Sequence, residues 1–237
     1  MAEQQVKSKQ RVTDHGEVFT AEREVKAMCD LVADECLRID SRFLEPACGE
    51  GNFLAEILRR KLSTVKSKYG KSSFEYERNA ILALTSIYGV DILADNAQLC
   101  REHLYKIWDE EYTENCKKEC SDEARATARF ILSSNIVCGN ALSLMCVDEQ
   151  QQDTDVPISF PEWTFPMNDA RIQRRDFRLD VLLKDNKDDE MYEENFSLFA
   201  DDAMSTDNWM IDPVTNEKVP KPIKEYPVVH FRNLKQE

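Results

Sequence analysis

The chain has 237 residues, 42% of them hydrophobic and 32% charged, so it can form a core and is not a wholly disordered protein. Its 31 basic and 45 acidic residues give a net charge of −14, which excludes nucleic-acid binding through the protein's global field. The longest mostly apolar run, 81–90, is about half a membrane span, and the polar start contains no apolar signal segment, so we expect a cytoplasmic protein without membrane contact.

The predicted elements alternate between helices and strands up to about residue 145. Thr20 can cap a helix that begins at Ala21, and Val25, Met28 and Val32 follow helical spacing. The later elements are a strand at 42–44, helices at 52–65 and 75–85, a strand at 87–90, helices at 95–108 and 123–132, and a strand at 135–138. This alternation predicts an α/β fold, a parallel sheet with helices on both faces.

The composition changes near residue 145. Residues 146–237 carry 21 acidic and 11 basic residues and seven of the eight prolines. We therefore predict a polar N-terminal arm at 1–13, a globular core at 14–145, and an acidic, loop-rich extension at 146–237 with a fourth strand near 177–183.

The clearest motif lies between the first strand and the following helix. The run 45–51, Glu-Pro-Ala-Cys-Gly-Glu-Gly, sets two glycines one residue apart. Glycine allows a tight turn and close approach of a ligand to the backbone, and a helix N-terminus offers free N–H groups to an anion. The pattern indicates a nucleotide-type site, although an ordinary strand–helix turn has the same outline.

Polar residues also end the next two strands. Asp91 can accept hydrogen bonds from ribose hydroxyls, or it can cap the helix that follows. Asn140, in the run Cys138-Gly139-Asn140-Ala141-Leu142, can present its amide to a purine edge or simply form a turn.

Together these segments resemble the S-adenosylmethionine-dependent N6-adenine DNA methyltransferases of restriction–modification systems. The similarity covers about residues 11–145 and four segments in the family's order, with Ala21 and Asn140 departing from its usual proline and aspartate. It implies a Rossmann-like methyltransferase fold, S-adenosylmethionine as cofactor, and DNA as a partner, bound directly or through another subunit. The cofactor residues that it implies are Phe19, Thr20, Glu45, Pro46, Ala47, Gly49, Gly51, Phe53, Asp91, Ile92, Asn140 and Ala141.

The family's catalytic motif is missing from this chain. That motif, a polar residue followed by Pro-Pro and an aromatic residue, activates the target amine and stacks on a flipped base. No two prolines are adjacent here, and neither 177–186 nor 158–163 matches. Cofactor binding is therefore expected, whereas the catalytic residues are unknown and methyl transfer to adenine is expected to need a partner chain or an unrecognised acceptor site.

Two other functions stay open. A catalytically inactive methyltransferase-fold protein would use the segment 185–212, with ten acidic residues and one basic, to dock a protein partner, unless that segment is only a solvated tail. A small-molecule methyltransferase would share the fold without the Pro-Pro motif.

A run of six Lys and Arg in 59–71 can contact phosphates, or it is a solvated helix end.

The eight cysteines include no Cys-x-x-Cys pair, and we expect them to be reduced. One alternative is a zinc site from Cys100, His103, Cys116 and Cys120 on adjoining helices. No turn signal frames these pairs as in a zinc finger, so we predict no metal.

Overall fold

The computed structural model describes residues 20–167, 169–184, 208–213 and 215–234. The chain divides into two units, one formed by Met1–Cys138 with Phe231–Glu237 and the other by Gly139–His230. The second unit therefore begins before the composition change near 145. Phe19, the arm 1–13 and most of the acidic segment 185–212 lie outside the described residues, so the predictions made for them remain predictions.

The first unit alternates helices and short strands. Its elements are α1 (Glu22–Asp30), α2 (Ala33–Leu37), β1 (Phe43–Glu45), α3 (Asn52–Tyr69), α4 (Ser73–Thr85), β2 (Ile87–Asp91), α5 (Ala94–Cys116), α6 (Asp122–Asn135) and the beginning of β3 (Ile136–Asn140). Single turns of 3₁₀ helix cover Lys117–Glu119 and Phe231–Asn233.

The three strands of this unit form a parallel sheet in the order β1-β2-β3. Phe43 lies opposite Ile87, and Asp91 lies opposite Cys138. The last residues of β3 then pair antiparallel with β4, so parallel and antiparallel pairing both occur. The predicted α/β class is confirmed.

Two of the predicted helices begin directly after a serine that caps them. Ser72 accepts a hydrogen bond from the Glu75 N–H at the start of α4, and Ser121 accepts one from the Ala124 N–H at the start of α6. The predicted Thr20 cap is wrong, because α1 begins at Glu22, its N-cap is Ala21, and no side chain caps it.

The core of the first unit is formed by apolar faces of α3 to α6. Helix α4 is buried along most of its length, and it packs against α3, α5 and α6. The largest fully buried apolar side chains of these helices are Leu54, Leu58, Leu62, Tyr76, Ile81, Leu84, Leu104, Trp108 and Tyr112. Burial on this scale supplies the main free energy that fixes the turn between β1 and α3 in place.

The second unit is built mainly from antiparallel strands in its described part. They are β4 (Met145–Val147), β5 (Asp153–Pro157), β6 (Ser159–Thr164), β7 (Arg171–Arg178), β8 (Trp209–Ile211), β9 (Lys218–Pro220), β10 (Lys224–Glu225) and β11 (Val229–His230), with a short helix α7 (Leu179–Leu182). Strand β7 pairs with β6, β10 and β11, and β8 pairs with β9.

The predicted strand near 177–183 is wrong beyond Arg178. Strand β7 ends at Arg178, and Leu179–Leu182 forms the helical turn α7. Leu179 and Val181 are both buried, while the Asp180 side chain pairs with Arg178 instead of facing solvent across a strand. The apolar run thus satisfied a strand pattern and a short helix equally well.

Within the described part of the chain, no helix is both long and apolar enough to cross a membrane.

Candidate functional site

The turn that joins β1 to α3 is held in a conformation that glycine permits. Gly49 and Gly51 have φ angles of +52° and +85°. At Gly51 a side chain would also lack space, since an added Cβ would lie 2.7 Å from the Cys100 Sγ. The Gly51 N–H donates to the Cys48 carbonyl at 2.8 Å, and the Gly51 carbonyl accepts the Ala55 N–H at 2.8 Å as α3 begins.

The Asp91 carboxylate ties this turn to the end of β2. Its Oδ2 accepts the Gly49 N–H at 2.8 Å. Its Oδ1 accepts the Leu93 N–H at 2.9 Å and receives a longer contact of 3.4 Å from the Asn96 amide. A second link is made by the Cys48 N–H, which donates to the Val90 carbonyl at 2.9 Å. The carboxyl ends of two neighbouring parallel strands are thereby joined.

The hydrogen bonds of Asp91 test the alternative that it caps the following helix. Helix α5 begins at Ala94, its N-cap is Leu93, and no side chain caps it. The bond to the Leu93 N–H is an Asx turn before the helix, so the capping alternative is wrong. A carboxylate has about four acceptor positions, and Asp91 is 8% exposed, so acceptor capacity is left for a ligand hydroxyl.

Glu45 is the acidic residue at the end of β1, half-buried beside the turn. Burial raises the pKa of its carboxyl, against the opposing effect of a hydrogen bond from the Ala47 backbone. Among the described residues no cation pairs with this carboxylate. Glu45 and Phe53 line one open groove with a volume of about 200 Å³, together with Met28, Cys29, Val32, Phe43, Leu44, Leu54 and Ile57.

The other predicted site residues are less closely grouped. Pro46 and Ala47 are exposed at the start of the turn, and Thr20 and Ile92 are half-buried. Asn140 and Ala141 belong to the second unit.

The Asn140 amide is engaged within the second unit. It donates to Asp153 at 3.0 Å and accepts the Leu142 N–H at 3.0 Å. These bonds correspond to the turn alternative for Asn140.

Sequence reasoning did not identify three residues that pack around the turn, namely Gly89, Cys100 and His103. An added Cβ at Gly89 would lie 3.0 Å from the Cys48 side chain, so the glycine in β2 lets the turn pack closely against this strand. A hydrogen bond with Cys100, together with burial, raises the pKa of the Cys48 thiol, which keeps it protonated at neutral pH. The His103 Nδ1 lies 3.1 Å from the Glu50 carbonyl. Only the GxG spacing hinted at such close packing.

The alternative zinc site does not form. Cys100 and Cys116 lie on the same helix, α5, sixteen residues apart, which corresponds to about 24 Å along a helix. Such a separation prevents one ion from binding both. Over the described ranges there is no group of three or more His, Cys, Asp or Glu side chains that could hold a metal ion.

The basic run 59–71 is not a free cationic surface. Arg60 pairs with Glu56 at 2.8 Å and with Asp30 at 2.7 Å. Lys66 pairs with Glu114 at 3.0 Å, and Lys61 is fully buried. Three of the six cations are therefore buried or paired with acidic side chains of the same chain, which weakens the phosphate-binding alternative.

The chain was compared with protein-family models, with curated proteins and with solved structures, and nothing matches it in any of the three. The site must therefore be interpreted from its own geometry. That geometry combines a glycine turn, a helix N-terminus, and two carboxylates at the carboxyl ends of parallel strands. The carboxylates suit hydroxyl and cationic groups of a ligand, and the helix N-terminus suits an anionic group.

Proposed function

We propose that the first unit binds S-adenosylmethionine at the carboxyl ends of β1 and β2. The observation that carries the proposal is the hydrogen bond from the Gly49 N–H to the Asp91 Oδ2, because it holds the glycine turn and an acidic strand end in one site. Ligands of open α/β sheets bind outside the carboxyl strand ends. A Rossmann-like arrangement of the unit is part of the same proposal.

The residues at the turn fit the chemistry of this cofactor. Asp91 keeps acceptor capacity for ribose hydroxyls, and Glu45 offers a carboxylate without a cationic partner among the described residues to an ammonium or sulfonium group. Gly51 has the positive φ angle that lets the turn lead directly into the start of α3. The bound cofactor would supply a methyl group activated by the sulfonium.

The finer proposal is that the methyl group goes to adenine in DNA. It is supported by the four segments that resemble the N6-adenine DNA methyltransferases and by their order. Because the Pro-Pro motif is missing, we propose that a partner chain supplies the acceptor site and the recognition of DNA. Orientation of the two reactants can then provide much of the rate.

Calorimetric titration of the full chain with S-adenosylmethionine tests the cofactor proposal. We expect micromolar binding that weakens by about tenfold in Asp91→Asn, the loss of roughly one charged hydrogen bond. The matched control is Asp34→Asn, an exposed acid in the first turn of α2, which should bind as the wild type does.

Asp91 also holds the turn, so folding of the variant must be checked by circular dichroism. Glu45→Gln is the second variant, since its side chain does not bridge two strands, and it should weaken binding without changing the unfolding transition. Absence of heat and of thermal stabilisation in the intact protein would refute the proposal.

The methyl-transfer proposal needs a separate assay. The chain, with and without a co-encoded partner, is incubated with unmethylated DNA and cofactor that carries a tritiated methyl group. Label recovered as N6-methyladenine supports the proposal. A protein that binds cofactor but labels no DNA in either case would be a methyltransferase-fold binding protein instead.

A further inference from the structure

The outer edge of β1 carries backbone groups that have no partner among the residues that the structure describes. Among the described residues β1 pairs only with β2, and the Phe43 N–H donates to the Ser86 carbonyl at 2.9 Å on that side. Alternate residues of a parallel strand face the same neighbour, so the N–H and carbonyl of Leu44 point to the opposite edge. An open donor and acceptor at a strand edge are a template for another strand.

An apolar groove runs beside this edge. It is lined by Met28 and Val32 from the end of α1 and the residues after it, by Leu44, and by the start of α3. The exposed fractions are 52% for Met28, 47% for Val32 and 40% for Leu44, and Leu31 next to Val32 is 85% exposed. A cluster of exposed large apolar side chains typically marks an interaction site.

The open strand edge and the groove together favour one kind of ligand over the others. A volume of about 200 Å³ is below the usual range for a small-molecule site, roughly 300–1,000 Å³. A docked helix would leave the Leu44 backbone groups unpaired, because its own N–H and carbonyl groups are already used. A concave groove does not match a second copy of itself across a twofold axis.

We infer that this surface binds an extended peptide segment of another polypeptide, with apolar side chains at alternate positions. The segment adds a strand to β1 through the Leu44 N–H and carbonyl, and every second side chain enters the groove. This inference does not depend on cofactor binding, and of the predicted cofactor residues only Glu45 and Phe53 line the groove among the described residues.

Selection from a random nonapeptide phage library against the full chain tests the inference. We expect selected peptides with alternating apolar residues, and we expect their synthetic forms to lose about tenfold in affinity when the central amides are N-methylated. Affinity is measured by fluorescence anisotropy.

Leu44→Pro is the decisive variant, because proline removes the outward N–H and is tolerated on edge strands. The matched control is Leu44→Ile, which keeps the N–H and an apolar side chain. We expect at least tenfold weaker peptide binding for the proline variant only. Val32→Asp should also weaken binding, and it should fold normally because aspartate suits the N-cap position of α2.

The inference is overturned if no peptide is selected, or if peptides bind Leu44→Pro as well as the wild type. It is also overturned if sedimentation shows a dimer that Leu44→Pro dissociates, since the edge would then belong to a second copy. Asp91→Asn should leave peptide binding unchanged, which separates this test from that of the cofactor.

Discussion

Lys61 is a buried cation whose hydrogen bonds connect the segments that lead into β1 and β2. Its Nζ donates to the carbonyls of Arg38, Ile39 and Ser41 and to the Ser86 hydroxyl, at distances between 2.5 and 3.1 Å. Burial lowers the pKa of its ammonium to about 8. The side chain thereby links α3 to the segment that leads into β1 and to the start of β2.

We expect Lys61→Met to destabilise the first unit by about 3 kcal/mol or more. Methionine fills similar space but leaves the Arg38 and Ser41 carbonyls without their donor, whereas the Ile39 carbonyl keeps the Ser86 hydroxyl. Each buried unsatisfied group costs roughly 1–3 kcal/mol. Urea unfolding followed by circular dichroism measures the change. Lys68→Met on the exposed part of α3 is the control and should stay within about 0.5 kcal/mol of the wild type. Equal stability of both variants would contradict the proposed linking role.

The lowered pKa of Lys61 also predicts how stability depends on pH. Between pH 8 and pH 10.5 the unfolded chain keeps the proton that folded Lys61 releases, so the contribution of this residue to stability rises with pH. Below pH 8 both states are protonated and the cost of the buried charge is fully present. The difference in unfolding free energy between wild type and Lys61→Met should therefore grow from pH 8 to pH 10.5, by about 3 kcal/mol at most. A difference that is constant from pH 7 to pH 10.5 would be inconsistent with the lowered pKa.

At the scale of elements, the turn from β1 to α3 depends on two separable properties of Gly51. The φ angle of +85° is unfavourable for other residues, and an added Cβ would collide with the Cys100 Sγ. We expect Gly51→Ala to cost about 1–3 kcal/mol and to abolish cofactor binding. Thermal unfolding and calorimetry measure the two effects.

The double variant Gly51→Ala with Cys100→Ala separates these properties. It removes the sulfur that the new methyl group would meet. The loss of unfolding free energy relative to Cys100→Ala alone should therefore fall to the part that is caused by the positive φ angle. A loss of unchanged size would show that the contact with Cys100 contributes nothing.

The sequence predicted elements wherever local signals agree, and failed where tertiary contacts decide. The strand at 87–90 and the acid that ends it were found because an apolar run and a single carboxylate mark them. The predicted end of α5 at Trp108 lies eight residues before its actual end at Cys116. No proline or glycine in this stretch marks the end of a helix, so the sequence pattern alone did not locate it. The run 177–183 became a helical turn because the pairing of β7 ends at Arg178.

The site was predictable in part for the same reason. The GxG spacing and Asp91 are local features, and parallel strands bring their ends together. The burial of Lys61 was not predictable, because its neighbours in 59–71 form a hydrophilic run. The close contact of Gly51 with Cys100 joins residues far apart in sequence and leaves no periodic signal.

At the scale of the whole molecule, the first unit is closed by residues from the far end of the chain. Phe231 is fully buried, and its carbonyl accepts a hydrogen bond from Thr127 on α6 at 2.6 Å. Arg232 donates to the buried carboxylate of Glu77 on α4 at 2.5 Å, and Tyr112 on α5 donates to the same carboxylate. Three helices of the first unit are therefore connected through a segment that follows the second unit.

This connection predicts that Arg232→Ala destabilises the first unit by about 3 kcal/mol, because removing one partner leaves a buried charge poorly compensated. Pairing Arg232→Met with Glu77→Gln should recover much of the loss, since neither residue is then charged. Arg171→Ala is the control: its pair with Asp169 is half exposed, and such pairs contribute about 0–1 kcal/mol.

Hydrogen exchange locates the effect of Arg232→Ala along the chain. Protection should fall in α4 and α6, the helices that Arg232 and Phe231 contact, if these contacts close the unit cooperatively. Protection that falls only in the last turn of the chain would mean that the segment is an attachment and that the helices are stable without it. Loss of protection throughout both helices would show that the stability of the first unit depends on the segment Phe231–Asn233.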